Sequence, residues 1–327
     1  MLFRSRSDMN VSSSSARTLV AGVVCIAILL IAGVAMPKWL SFLITMSAAN
    51  GLVSLGIVSL MRTGVVSFGQ GMVFALGGYT AALSFGHLGI TDAVLLAVSG
   101  GLVALLVALP FALLIARYRG IFFAMLSLAL SMVLYGVLMK SQALGGSDGF
   151  NMGRVTLFGI RPADSWSGYA SYAVTVTLGG LVGMAMRIYF DSTRGLVALA
   201  SRDNEIRVEY LGSSVQNLIA ANYLIAAFTG GMGGALAVMA LGHVEPEFSF
   251  WTTSGDFVFV AILAGHHSVL AAFIASTVLE IVRSFSSSYF PNSWQLSLGL
   301  FLLAVIRFLP RGIGSLWEAK RNKGEHA

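Results

Sequence analysis

Residues 93–116 read AVLLAVSGGLVALLVALPFALLIA, twenty-four positions without a charged side chain. A hydrocarbon core of ~30 Å is crossed by ~20 apolar residues rising 1.5 Å each, so this stretch is long enough to span a bilayer. A single run of this kind also fits a buried core helix, but here the pattern recurs. Charges are equally absent from Thr18 to Pro37, Trp39 to Met61, Gly120 to Met139, Ser165 to Met186, Phe257 to Leu279 and Ser284 to Ile306. Two further runs, Thr63 to Thr91 and Tyr210 to Val244, are interrupted only by His87 and His243. In lipid the backbone must satisfy its own hydrogen bonds, so such segments are helices. The fold class is therefore all-α, a polytopic transmembrane helical bundle of roughly 8–10 spans.

Composition excludes much else. The 327-residue chain is 57% hydrophobic and 10% charged, against roughly 25% charged in soluble domains. Its net charge of +6 is not a nucleic-acid signal, because Lys and Arg in a membrane protein mark cytoplasmic loops. The lone Cys25 lies inside the first apolar run, which rules out an intrachain disulfide. No soluble domain stands apart. Residues 1–18 read as a cytoplasmic tail, 19–309 as the transmembrane domain with a cytoplasmic loop over 191–217, and 310–327 as a second cytoplasmic tail.

The first apolar stretch, Leu19–Met36, is longer than the ~7–15 residues of a signal peptide and is read as an uncleaved helix. Helices at Leu19–Met36, Ser41–Met61, Val65–Phe85, Ala93–Ala116, Gly120–Met139 and Tyr169–Phe190 put Arg62, Arg117, Arg119 and Arg194–Arg207 on the cytoplasmic side. Continuing with Leu218–Leu241, Phe257–Val282 and Trp294–Phe308 leaves the basic C-terminus outside, against that rule. One segment must break parity. The expected place is Asp256–Ser284, where Phe257–Ala264 and Val269–Glu280 flank Gly265–His266–His267–Ser268: a helix broken at mid-depth, or two short segments. Glycine-rich stretches follow both Asn50 and Asn222, a loose echo compatible with an inverted repeat.

Few residues stand out chemically. Arg194–Gly212 holds the densest charge, including Arg202, Asp203 and Glu205. Its Leu196, Leu199 and Ala200 fall on one helical stripe, so it reads as an amphipathic surface helix, either docking a partner or simply solvated. Gln70, Asn50 and Asn222 sit in apolar helices, where a polar side chain either bonds across helices or lines a path. Glu280 and Arg283, at i and i+3, read as an ordinary helical ion pair.

The order of motifs resembles one family. Asn50–Gly51–Leu52, Gly64–Val65–Val66–Ser67–Phe68–Gly69–Gln70–Gly71, Gly77–Gly78–Tyr79, Gly120–Ile121–Phe122–Phe123–Ala124–Met125–Leu126–Ser127–Leu128, Gly145–Gly146–Ser147–Asp148–Gly149, Arg194–Gly212, Trp251–Asp256 and Pro310–Arg311–Gly312–Ile313 resemble, over residues 45 to 314, the LivM-type permeases of branched-chain amino acid ABC transporters. The resemblance implies no cofactor or metal. It implies a second homologous permease, cytoplasmic ATPase subunits and a periplasmic substrate-binding protein as partners, in a bacterial inner membrane. Arg194, Gly195, Arg202, Asp203, Glu205 and Gly212 would then belong to the segment that the ATPase grips, and Gln70, Asn50, His266 and His267 to the substrate pathway. The family generally carries glycines where this chain has His266–His267, so the substrate could be a branched-chain amino acid, urea, an amide or a related small polar compound. The chain lacks a Gly-x-x-x-x-Gly-Lys-[Ser/Thr] phosphate loop, so ATP hydrolysis would fall to a partner. An ion-coupled secondary transporter is the alternative. It wants a mid-helix carboxylate, whereas Asp256 and Glu280 read as segment ends. An intramembrane enzyme lacks any His-Glu-x-x-His or Gly-x-Ser-x-Gly motif.

Overall fold

The computed structural model describes residues 5–157, 159–161, 163, 166–266, 268–309 and 312–315, with side chains from Leu19 onward. Among them are α1 (Ser5–Ala35), α2 (Lys38–Met61), α3 (Gln70–His87), α4 (Ala93–Ile115), α5 (Gly120–Lys140), α6 (Ser167–Asp191), α7 (Thr193–Asp203), α8 (Glu205–Tyr210), α9 (Val215–Leu241), α10 (Trp251–Ala264), α11 (Val269–Tyr289) and α12 (Trp294–Phe308). Six of these, α2, α4, α5, α6, α9 and α11, are long and apolar enough to cross a membrane, and Leu19–Ala35, α10 and α12 are shorter apolar helices. The chain is a multi-pass membrane protein. Local chemistry sets the boundaries. Asp92 accepts from Val94 N and Leu95 N to cap α4, Ser214 caps α9, and Gly242 ends α9 at φ 74°, a left-handed conformation that favours glycine.

Hydrogen bonds fix the direction of each helix. At one end Arg62, just past α2, bonds carbonyls at the end of α6 (Phe190), the start of α7 (Gly195) and the turn after α10 (His266). Ile313, just past α12, donates to Leu263 O, and Gln216 of α9 reaches Leu113 O of α4. At the other end β1 (Phe150–Asn151) pairs antiparallel with β2 (His243–Val244). Ala93 N there bonds Thr156 O, and Tyr169 and Tyr172 of α6 bond Leu30 O and Leu29 O of α1. The first end, rich in arginine, is the arginine end, and the second is the loop end.

Reading along the chain, α1 to α5 and then α6, α9, α10, α11 and α12 traverse the bundle in opposite senses. Helix for helix, the second set is the first inverted. α2 and α9 lie antiparallel at the centre, α4 packs on α9, and α11 on α2. Among the described residues, ten helices running alternately along the bundle return the end of α12 to the side where α1 starts. The extra pass comes from α10 and α11 being separate helices. Their turn at Gly265 lies at the arginine end beside Arg62 rather than at mid-depth, correcting one of the two expectations for that segment. The real mid-depth breaks lie elsewhere. Val65–Gly69, expected to be helical, is a buried non-helical lead into α3, and Glu245–Phe250 leads into α10. α1 also continues back to Ser5, through the stretch read as a polar tail.

Close backbone approach holds α3, α4 and α9 together. A Cβ on Gly234 would lie within 1.9 Å of Phe74 O, and one on Gly77 within 1.9 Å of Gly231 O. Only glycine permits those crossings, the usual means by which membrane helices gain packing without a hydrophobic drive.

Candidate functional site

The two leads bring α3 and α10 together by their N-termini. Phe68 N donates to Ser127 Oγ of α5 at 3.0 Å, and Gly69 N to Ser67 Oγ at 3.1 Å. On the other side Ser131 Oγ of α5 donates to Ser249 O at 2.7 Å, and Ser249 Oγ to Pro246 O at 2.9 Å. Gly71 N then donates across the gap to Ser254 Oγ at 2.8 Å. Ser131 lies eleven residues into α5, about 17 Å along it, so the meeting point is near mid-depth. Irregular backbone at that depth needs such partners, since lipid offers none. Both helices direct their partial positive charge at this point. None of these serines was singled out from sequence as a site residue; their mark was a hydroxyl in an otherwise apolar run.

Of the four expected pathway residues, the three described ones are not gathered in one place. Gln70 opens α3 and is 2% exposed. Its Oε1 has no hydrogen-bond partner and lies against Gly230 of α9, 2.8 Å from where a Cβ there would stand. Asn50 faces α11, with Nδ2 3.5 Å from Glu280 Oε2. His266 sits at the arginine end, where its carbonyl accepts from Arg62 Nη1 at 3.1 Å. His267 lies outside the described residues. Asn222 accepts from the Tyr189 hydroxyl at 3.2 Å and donates to Leu218 O. Among the described residues no three His, Cys, Asp or Glu side chains group as metal ligands.

Arg283 pairs with Asp256 of α10 instead of with Glu280 as the i, i+3 spacing suggested. Its guanidinium also lies 5.9 Å from the centre of the Trp294 ring. Within this cluster Trp294 opens α12, Asp256 is five residues past the start of α10 and Arg283 six residues before the end of α11, while Glu280 and Asn50 lie deeper along their helices. Glu280 is eleven residues along α11, about 17 Å, and Asn50 is as far from the end of α2.

At the arginine end the charged segment is two helices. Ser192 caps α7 by accepting from Gly195 N, and Asn204, with φ −159° and ψ 100°, ends α7 and caps α8 by accepting from Arg207 N. The buried face is Gly195, Ala198 and Ser201. The Leu196–Leu199–Ala200 stripe lies off that buried face, with Leu196 and Ala200 exposed, as are Ile206, Tyr210 and Leu211. Two arginines read only as topology markers anchor this segment. Arg62, 6% exposed, bonds Gly195 O and Phe190 O and stacks 4.4 Å over the Phe190 ring. Arg119 bonds Glu205 through Nε at 2.8 Å and Ala116 O through Nη1. Arg202 approaches Gly64, while Arg194, Asp203 and Gly212 are exposed.

Compared with known proteins, residues 39–308 match the profile of the family described as branched-chain amino acid transport system / permease component. The chain belongs to this family. The permease is 24% identical over 292 residues to the high-affinity branched-chain amino acid transport system permease protein LivM of Salmonella typhimurium, covering 82% of the chain and 68% of LivM. Against LivM of Escherichia coli it is 25% identical over 276 residues, 77% of the chain and 64% of that protein. It is also 23% identical over 290 residues to the corresponding permease protein LivH of Salmonella typhimurium, covering 83% of the chain and 92% of LivH. The match thus spans about two thirds of LivM and nearly all of LivH. No solved structure matches the permease.

Proposed function

We propose that the permease is the membrane subunit of an ATP-driven importer in a bacterial inner membrane, moving branched-chain amino acids or a related small polar substrate. A second homologous permease completes the pathway, two cytoplasmic ATPase subunits supply the work, and a periplasmic binding protein delivers cargo. Both termini then face the cytoplasm with the arginine end, in keeping with the positive-inside rule.

The observation that carries this reading is the α7–α8 segment. It exposes Leu196, Ile206, Tyr210 and Leu211 among charges, a surface suited to a protein partner. Its two helices are tied into the bundle at both ends, through Arg62 and Arg119. Movement imposed on α7 reaches the α10–α11 turn through Arg62, and movement of α8 reaches the α4–α5 turn through Arg119. Arg194, Gly195, Arg202, Asp203, Glu205 and Gly212 act as the coupling segment. Gln70, Asn50, His266 and His267 act along the pathway.

The test is reconstitution with a partner permease, ATPase subunits and a binding protein from the same organism. ATP-dependent uptake of labelled leucine into proteoliposomes is expected, lost on reversing Arg202 together with Glu205 while the protein still inserts. Uptake by the chain alone, driven by an ion gradient, would overturn the proposal in favour of a secondary transporter.

A further inference from the structure

Asp256, Glu280 and Arg283 place two negative charges and one positive charge within a bundle that spans ~30 Å of hydrocarbon. A charged side chain within the hydrocarbon is costly when it faces lipid, so such groups face protein or a watery cavity. The chain does not itself enclose them: Arg283 and Asp256 remain 29% and 31% exposed. Their open side therefore faces a watery space or the partner subunit rather than lipid.

The pairing within the cluster is incomplete in a telling way. Arg283 gives Nη2 to Asp256, yet its Nε is buried without a hydrogen-bond partner. Among the described residues, Glu280 receives one long bond, 3.5 Å from Asn50 Nδ2. One unused guanidinium N–H and one nearly unused carboxylate thus stand one helical turn apart on α11. Leaving a buried polar group such as Arg283 Nε unsatisfied is costly. That cost is relieved when a ligand carrying both an acceptor anion and a donor cation passes.

We propose that this cluster is a waypoint for a zwitterionic α-amino acid, with Arg283 receiving its carboxylate and Glu280 its ammonium. Asp256 holds the guanidinium in place, Asn50 holds Glu280, and the Trp294 ring limits where the Arg283 head can swing. The proposal rests on the permease reading above and narrows it: urea and neutral amides carry neither charge, so an amino acid is the cargo. The alternative role, a strut tying α10 to α11, needs only opposite charges on the two helices in either order.

The experiment uses the whole complex in proteoliposomes and counts labelled leucine taken up per ATP hydrolysed. Glu280→Gln is expected to lower that ratio tenfold or more. The exchanged pair Asp256→Arg with Arg283→Asp is expected to leave uptake at least tenfold down, because the ion pair survives while the ligand's charges meet the wrong partners. Normal uptake by Glu280→Gln, or recovery by the exchanged pair, overturns the proposal in favour of the strut. A second probe covers variants that fail to assemble. Thr252→Cys, one turn before Asp256 on the exposed side of α10, is made with Cys25→Ser and treated with a charged thiol reagent. Labelling that leucine suppresses supports a watery, cargo-facing space, and an inert thiol refutes it. Absence of ATP-driven uptake in the unmutated complex would count against the importer reading, a result distinct from any of these.

Discussion

Replacing Arg62 by Met should loosen the arginine end without disturbing the rest of the bundle. Met keeps the aliphatic stem but forfeits three hydrogen bonds, to His266 O at 3.1 Å and to Phe190 O and Gly195 O at 3.4 Å. Bonds to a charged group contribute roughly 1.5–3 kcal/mol each when geometry is good; two of these are long, so about 3 kcal/mol for the set is a fair figure. Losing the stack on Phe190 adds about 0.5–2 kcal/mol, which brings the total to about 3–5 kcal/mol. At 1.36 kcal/mol per decade, local opening becomes about a hundred- to several-thousandfold more frequent. Hydrogen exchange read by mass spectrometry on the intact complex in nanodiscs measures this directly. Peptides covering 190–198 and 262–266 should exchange faster by that factor, while α2 near Leu52 stays protected. Arg62→Lys, which keeps the charge but not the planar fork, should fall between. Exchange in both peptides within threefold of the unmutated protein would refute the idea that Arg62 ties the three elements together.

Gly234→Ala forces a methyl onto Phe74 O and should cost about 1–3 kcal/mol by overpacking, seen as a lower unfolding temperature in detergent. Gly136→Ala, with nothing within 4 Å, should be neutral or slightly stabilising by the same assay. Glu205→Arg should impair uptake by repelling Arg119, and adding Arg119→Glu should recover it. Because that pair is a third exposed, its effect on thermal stability should be under about 1 kcal/mol. Ser254→Ala leaves Gly71 N without its partner at mid-depth and should lower the unfolding temperature, as a loss of about 1–3 kcal/mol would. Ser297→Ala, at an exposed position near the loop end, should not.

The fold class was legible because the absence of charge repeats with bilayer length and needs no knowledge of which helix meets which. The broken segments were harder. Residues 65–69 are as apolar as a helix, and what unwinds them is tertiary: Ser127 of α5 supplies a backbone partner that lipid cannot, as Ser131 does for the Glu245–Phe250 lead. The same limit applied to Arg283. Spacing alone pairs it with Glu280, whereas the fold brings Asp256 across from another helix, and burial outweighs the weak i, i+3 preference. The Leu196 stripe was legible as a periodicity, but the face that packs on the bundle was not, since Gly195, Ala198 and Ser201 let α7 lie close while carrying little hydrophobic signal. Arg62 and Arg119 were visible as charges, but their roles depend on carbonyls far away in sequence.

The head-to-head half-helices also constrain how the protein is made. A translocating ribosome releases α3 with its lead, Val65–Gly69, before α5 exists to bond Phe68 N, and long before α10 offers Ser254 to Gly71. Bare amides at that depth are intolerable in hydrocarbon. The α2–α3–α4 unit must therefore wait in a hydrated or chaperoned setting, α3 shielded between its two apolar neighbours, until α5 emerges. The Glu245–Phe250 lead meets no such delay, because α5 is already in place when it arrives. Biogenesis of this protein is thus directional: a chain truncated after α4 should be degraded faster than one truncated after α6, in which Phe68 N has gained Ser127 while Gly71 N still waits for Ser254, a contrast that pulse-chase labelling in cells would reveal.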